Sequence, residues 1–194
     1  MKKLSVIVTF LMCFSLSGSM YAQRHLPGQK GLQVTAGTVN GFTLDEKNPN
    51  FAAHAGAAFS TYTKNGNRWV FGGEFLGKCH RYKGWCHPQM QWTGEGGYYL
   101  TVLSDKSKTV FCSAGVSALA GYETIRNNKH PLPDGATILN QDAFLYGGAI
   151  TLETEVFLTD WMVFIANIRE RALGGSSFDV FNTQFGLGLK FIIN

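Results

Sequence analysis

From residue 30 to its end the chain alternates apolar with polar or small residues, and it does so in eight long stretches. They cover Lys30–Val39, Phe51–Thr63, Arg68–His80, Gln89–Leu103, Thr109–Glu123, Ala143–Leu158, Trp161–Ala172 and about Phe178 to Asn194. A period of two is the signature of a strand with one apolar face. Strands in soluble sheets usually have ~5–6 residues, whereas a tilted strand that crosses hydrocarbon needs ~9–11. Every stretch meets the longer requirement. The pattern therefore predicts an all-β protein: an eight-stranded antiparallel up-and-down transmembrane β-barrel of the outer-membrane type.

The connections point the same way. Lys64–Asn67, Ser104–Lys108 and Thr159–Asp160 are short. Asn40–Asn50, Arg81–Pro88 and Thr124–Asp142 are long, and Leu173–Ser177 is intermediate. Short and long alternate, as they do where periplasmic turns are tight and outside loops extended. One register is left between two turns. A two-residue Asn65-Gly66 turn pairs Tyr62 with Trp69 and sends His54 and Ser60 outward. A three-residue turn pairs Thr63 with Trp69 and sends Phe51, Ala53, Ala55, Ala57 and Phe59 outward instead. The apolar face favours the second, because a slip of one residue exchanges the whole set.

The two faces differ in charge. Over the third to sixth stretches the face assigned to lipid has no Lys, Arg, Asp or Glu. The opposite faces carry Glu74, Lys78, Glu95, Glu153, Glu155, Arg169, Arg171 and Lys190. Buried charges need partners, and an eight-stranded barrel has room inside only for side chains. These four acids and four bases are expected to neutralise one another in a plugged lumen. A soluble barrel or sandwich would need the reverse orientation, with large apolar residues from nearly every strand in one small interior. Charged residues are only 15% of the chain, against ~25% in soluble domains, which also suits a surface that partly avoids water.

The start of the chain reads as an export signal. Lys2 and Lys3 precede an apolar run from Leu4 to Leu16, too short to span a bilayer as a helix. Ala22 is a plausible last residue before cleavage. The domain reading is thus a Sec-type signal peptide over 1–22 and a single barrel over 23–194, bound for the outer membrane. The net charge is +4, and loss of Lys2 and Lys3 lowers it to +2. That is too weak to argue for direct nucleic-acid binding.

Little in the chain points to chemistry. Cys79 and Cys86 flank the second outside loop, and in an oxidising compartment the simplest reading is a disulfide. With His80 and His87 they also offer two sulfurs and two nitrogens to zinc, a reading the exported location disfavours. Cys112 is read as a small apolar residue facing lipid. Gly115-Val116-Ser117-Ala118-Leu119 lacks the last glycine of a nucleophile elbow. Gly94-Glu95-Gly96-Gly97 opens no helix, so it is no phosphate loop. No catalytic, metal or cofactor constellation is assigned, and the chain is expected not to be an enzyme.

Two resemblances add to this reading. Gln184, Gly186, Leu189 and Phe191 follow the spacing polar-x-Gly-x-x-apolar-x-aromatic at the C-terminus, which resembles the signal by which outer-membrane barrels are recognised by their assembly machinery. The stretch Gln23 to Gly37, QRHLPGQKGLQVTAG, resembles the opening of the conjugal transfer protein TraO family of Bacteroidetes conjugative transposons. That second resemblance implies a non-enzymatic component of the mating apparatus that transfers DNA, structural or docking in role. Its expected partners are other conjugation proteins and outer-membrane lipid. The Arg81–Pro88 and Thr124–Asp142 loops are expected to touch a partner or recipient surface, and His25 to Lys30 the periplasmic rim. The alternatives are a stand-alone adhesin or surface-protection barrel, and an outer-membrane enzyme acting on lipid.

Overall fold

The alternating stretches become strands that close on themselves. The structure is a computed structural model that describes residues 25–40, 52–82, 85–125, 142–176 and 180–193, with the backbone alone at 80–82, 85–87 and 125. The strands are β1 (Lys30–Val39), β2 (Ala52–Tyr62), β3 (Arg68–Tyr82), β4 (Trp85–Ser104), β5 (Val110–Ile125), β6 (Asp142–Phe157), β7 (Met162–Gly174) and β8 (Phe181–Ile193). Each pairs antiparallel with the next, and β8 returns to β1 to close the barrel. The start of β1, the end of β8 and the three short turns share one end, the turn end. The other four connections leave from the loop end. The expected signal peptide lies outside the described residues.

Two details of the expected connections are corrected. Thr61 pairs with Trp69 and Tyr62 with Arg68, so neither the two- nor the three-residue turn forms. A longer turn over 63–67 contains one 3-10 turn, with Asn65 at φ 64° and Gly66 at φ 76°. Thr63 N donates to Asn67 O at 2.6 Å. From β4, Thr101 Oγ1 donates to Gly66 O at 2.8 Å and Thr101 N to Asn67 Oδ1 at 3.1 Å, docking the turn. This register differs from the three-residue one by an even step, so the faces stay as that turn would set them: Ala55, Ala57 and Phe59 outward, His54 and Ser60 inward.

The second outside connection is also not a loop over Arg81–Pro88. Pairing continues from Cys79↔Pro88 to Tyr82↔Trp85, leaving only residues 83–84 between the strands. β2 last pairs with β3 at Lys78, and β5 last pairs with β4 at Gln89. Above those points β3 and β4 pair with each other as a two-stranded ribbon and, among the described residues, with no other strand.

The orientation of the wall is opposite to that of a soluble protein. Trp92 is 60% and Leu187 59% exposed, while Arg68, Glu155 and Lys190 are fully buried. A contiguous apolar surface this large is not left in water by a monomer, and aromatic groups stand near both of its edges. Phe75 and Trp92 touch near the loop end, with ring centroids 4.6 Å apart. Trp69 lies 4.8 Å from Tyr98, and Trp161 6.0 Å from Phe191, near the turn end. A bulge at Thr101/Leu103 leaves Val102 and Leu103 both outward. Two acids among the described residues break the apolar face, and one of them, Asp142, stands beside Tyr122 at the loop-end edge of β6. Glu170 of β7 points outward and accepts from Thr183 Oγ1 at 2.5 Å. It lies close to the loop end, where such a charge costs under about 1 kcal/mol.

A cation in the middle of this wall has no such escape. Ile150 lies midway along β6 and is exposed outward. Ile150→Arg is expected to lower barrel stability in liposomes by ~2–4 kcal/mol, with Ile150→Val nearly neutral. Reversible denaturant unfolding of the lipid-embedded protein measures the difference.

Candidate lumen ion network

The inward faces bring the charged residues together in tiers along the barrel axis. The tier nearest the turn end is built by the first residue of β3, the last turns of β6 and the end of β8. Arg68 Nη2 stands 2.6 Å from Glu153 Oε1, and its Nη1 3.2 Å from Glu155 Oε2. Nη1 also donates to Ser113 Oγ at 3.0 Å. Lys190 Nζ reaches Glu153 Oε1 at 3.6 Å and pairs closely with Glu155. Tyr62 Oη donates to Glu155 Oε1 at 3.0 Å.

Tyr99 joins this tier to the next. Its ring lies 5.0 Å from the Arg68 guanidinium carbon, and its hydroxyl accepts from Arg169 Nη2 at 3.0 Å. Glycine at 115 makes room for the ring, since a Cβ there would stand 2.6 Å from it.

In the second tier Arg169 meets Glu95 Oε2 at 2.9 Å and Glu74 Oε2 at 3.4 Å, and its Nε donates to Thr151 Oγ1 at 3.0 Å. Arg171 Nη1 stands 2.6 Å from Glu74 Oε1. Gln184 Nε2 donates to the same oxygen at 2.7 Å, and His54 Nδ1 lies 3.5 Å from Glu74 Oε2. Nearer the loop end, Glu123 Oε2 accepts from Gln89, Gln91 and Ser176, at 2.7, 2.7 and 2.9 Å. Lys78 holds the inward register of β3 at the loop end, opposite Gln89.

Seven of the eight charged residues singled out in the sequence thus sit in two linked clusters. Arg68, Tyr62, Tyr99, His54 and Glu123 complete the network and were not singled out. Their signal is parity: Arg68, for example, lies six positions before Glu74 on one strand, so both face the lumen. Gln184 and Gly186 face inward, where a Cβ on residue 186 would stand 2.5 Å from Asn167 Oδ1. Leu189 and Phe191 face outward, and β8 is paired on both sides. Cys112 faces outward as a free thiol 3.6 Å from Thr154 Oγ1. The Cys79–Cys86 reading reaches a side chain outside the described residues; the backbone register pairs Cys79 with Pro88 and Arg81 with Cys86.

These groups are arranged to neutralise one another. A void of about 10 Å³ beside Gln33, His54, Glu95 and Gln184 takes no more than a water-sized occupant. Among the described residues no group of three or more His, Cys, Asp or Glu is placed to hold a metal ion. Removing one member exposes the cost of the others. Arg68→Met leaves Lys190 as the one Lys or Arg paired with Glu153 and Glu155 among the described residues and is expected to cost ~3–5 kcal/mol, as breaking a buried pair does. Replacing Arg68, Glu153, Glu155 and Lys190 together by apolar residues of similar volume, so that no buried charge is left without its counter-ion, should restore much of that loss in the same unfolding assay.

Solved structures show the same architecture. The attachment invasion locus protein Ail of Yersinia pestis, in complex with the heparin analogue sucrose octasulfate, is 12% identical and has a TM-score of 0.52, covering 87% of this chain and 100% of its own. A second Ail crystal structure gives 12%, 0.51 and the same coverage. The outer membrane protein OprG from Pseudomonas aeruginosa is 12% identical with a TM-score of 0.48, covering 89% of this chain and 99% of its own. At such identity the Ail likeness speaks for the fold alone. No curated protein matches the chain. The family profile described as conjugative transposon protein TraO matches residues 26–193, nearly the whole chain, and the chain therefore belongs to the TraO family.

Proposed function

We propose that the protein is a non-enzymatic outer-membrane component of a conjugative DNA-transfer apparatus, structural or docking in role. The observation that carries the reading is an inside-out barrel with a filled lumen in a chain of the TraO family. The apolar wall fits a bilayer, and the turn end faces the periplasm. DNA does not pass through this barrel, because no strand of nucleotides fits among the lumen side chains. Its contribution to transfer is therefore made by its two ends. The periplasmic end meets other transfer proteins, and the β3–β4 ribbon with the neighbouring outside loops meets a partner or recipient surface. Gln184, Gly186, Leu189 and Phe191 serve before closure, when β8 is still an edge that the barrel assembly machinery can pair.

Deletion of the gene is expected to lower transfer frequency by orders of magnitude, with recovery on complementation. The protein should fractionate with outer membranes and migrate faster on cold gels than after boiling. Unchanged transfer beside altered adherence would favour the adhesin reading. The ribbon supplies a separate test. Isolated two-stranded hairpins are marginal in water, and a Cys79–Cys86 disulfide would hold this one. Non-reducing peptide mapping is expected to recover the two cysteines in one linked fragment, with Cys112 alkylatable.

A further inference from the structure

The segment ahead of β1 is not needed to close the barrel, yet it is folded against the mouth at the turn end. Leu26-Pro27-Gly28-Gln29 form a reverse turn: Gln29 N donates to Leu26 O at 3.1 Å, and Leu26 N to Gln29 Oε1 at 3.3 Å. Pro27 suits the second position of a type II turn, and Gly28 at φ +86° supplies the left-handed residue that such a turn needs third. Two bonds to the end of β2 fix the strap, Gly28 N to Tyr62 O at 2.8 Å and Tyr62 N to Gln29 O at 2.9 Å. The reversal carries His25 back into the lumen.

His25 sits among rings. Its centroid is 3.9 Å from Phe111, nearly parallel, 4.5 Å from Tyr62 and 5.6 Å from Phe157. Nε2 stands 3.3 Å from Glu155 Oε2, and Nδ1 has no hydrogen-bond partner among the described residues. The charged groups around this seat are Arg68 from β3, Glu153 and Glu155 from β6, and Lys190 from β8, with the Tyr62 hydroxyl from β2. Two cations already face two carboxylates. A proton on His25 would add a third cation to two carboxylates that already face two, and an Nδ1–H without an acceptor among the described residues, on a side chain only 4% exposed. We propose that the strap over residues 25–29 is an acid-released plug: His25 is seated while neutral, and its protonation frees the strap from the mouth.

The sign of the effect follows from burial. His25 lies outside the spanning strands, and burial pushes its imidazole below the usual 6.5, against the pull of Glu155. Above that value the seated and free strap are both neutral, and pH does not discriminate between them. As pH falls below it, the free strap takes up a proton that the seated one refuses. Seating then weakens by up to about tenfold per pH unit until the seated imidazole itself titrates. The release stands apart from the proposed function, which supplies only the side of the membrane on which the strap emerges.

Amide exchange at Gly28 in the full mature barrel, in detergent micelles between pH 8 and pH 4.5, reads the release directly. After correction for intrinsic exchange, protection should be constant above pH 7 and fall about tenfold per unit below 6.5. His25→Phe should keep the strap protected across the range, and His25→Ala should leave it unprotected throughout. Cold-gel migration at each pH separates strap release from loss of the barrel. Protection that does not change with pH in the native sequence overturns the proposal. So does a His25→Phe variant that follows the native curve, or protection lost only when the whole barrel unfolds.

Discussion

The structure depends on one seam. β8 and β1 pair over ten rungs, from Lys30↔Ile193 to Val39↔Gln184, and this pairing turns a sheet into a cylinder. Without it, two strands would present unpaired N–H and C=O groups to hydrocarbon, where each costs several kcal/mol. With it, every strand has two neighbours, and alternation assigns every other side chain to lipid. The residues between them have no choice but the interior. The C-terminal sequence shows both requirements in one strand. Phe185, Leu187, Leu189 and Phe191 meet the bilayer, while Gln184, Gly186 and Lys190 fill the lumen or leave room for what fills it.

The filled interior then becomes a problem of charge. Glu74 is shared by Arg169, Arg171 and Gln184, and Glu155 by Arg68, Lys190 and Tyr62. Such sharing repays desolvation only if nearly every member is present, since one missing partner leaves a bare charge. The network is therefore better understood as a device that fixes register than as a source of net stability. A slip of one residue in β3 would turn Arg68 and Glu74 to lipid and bring Trp69 and Phe75 inside.

Period two made most of this legible in the sequence. The strand count, the faces and the lumen charges from Glu74 to Lys190 all follow from it. The misses fall where that period gives no guidance. The β2–β3 turn is set by Thr101 reaching across from β4, a tertiary contact that no local dipeptide reveals. The Arg81–Pro88 segment carries no apolar alternation and so reads as a loop, yet backbone pairing continues to Tyr82↔Trp85. Arg68, the first residue of its stretch, shares the parity of Glu74 and faces inward with it. His25 was beyond any periodicity. Its position follows from Pro27 and Gly28, whose turn chemistry could be recognised, but whose direction depends on where Tyr62 ends β2.

Family membership and a plugged cylinder together narrow what a part of a transfer machine can do. The lumen among the described residues is filled with side chains, and the proposed role in transfer therefore rests on what the two ends hold. At the loop end β3 and β4 run on past their pairing with β2 and β5 as paired backbone rather than as loop. The other end is closed by the same Leu-Pro-Gly-Gln run that opens the family match. There the turn serves less to start a strand than to place one imidazole over a cluster of fixed charge.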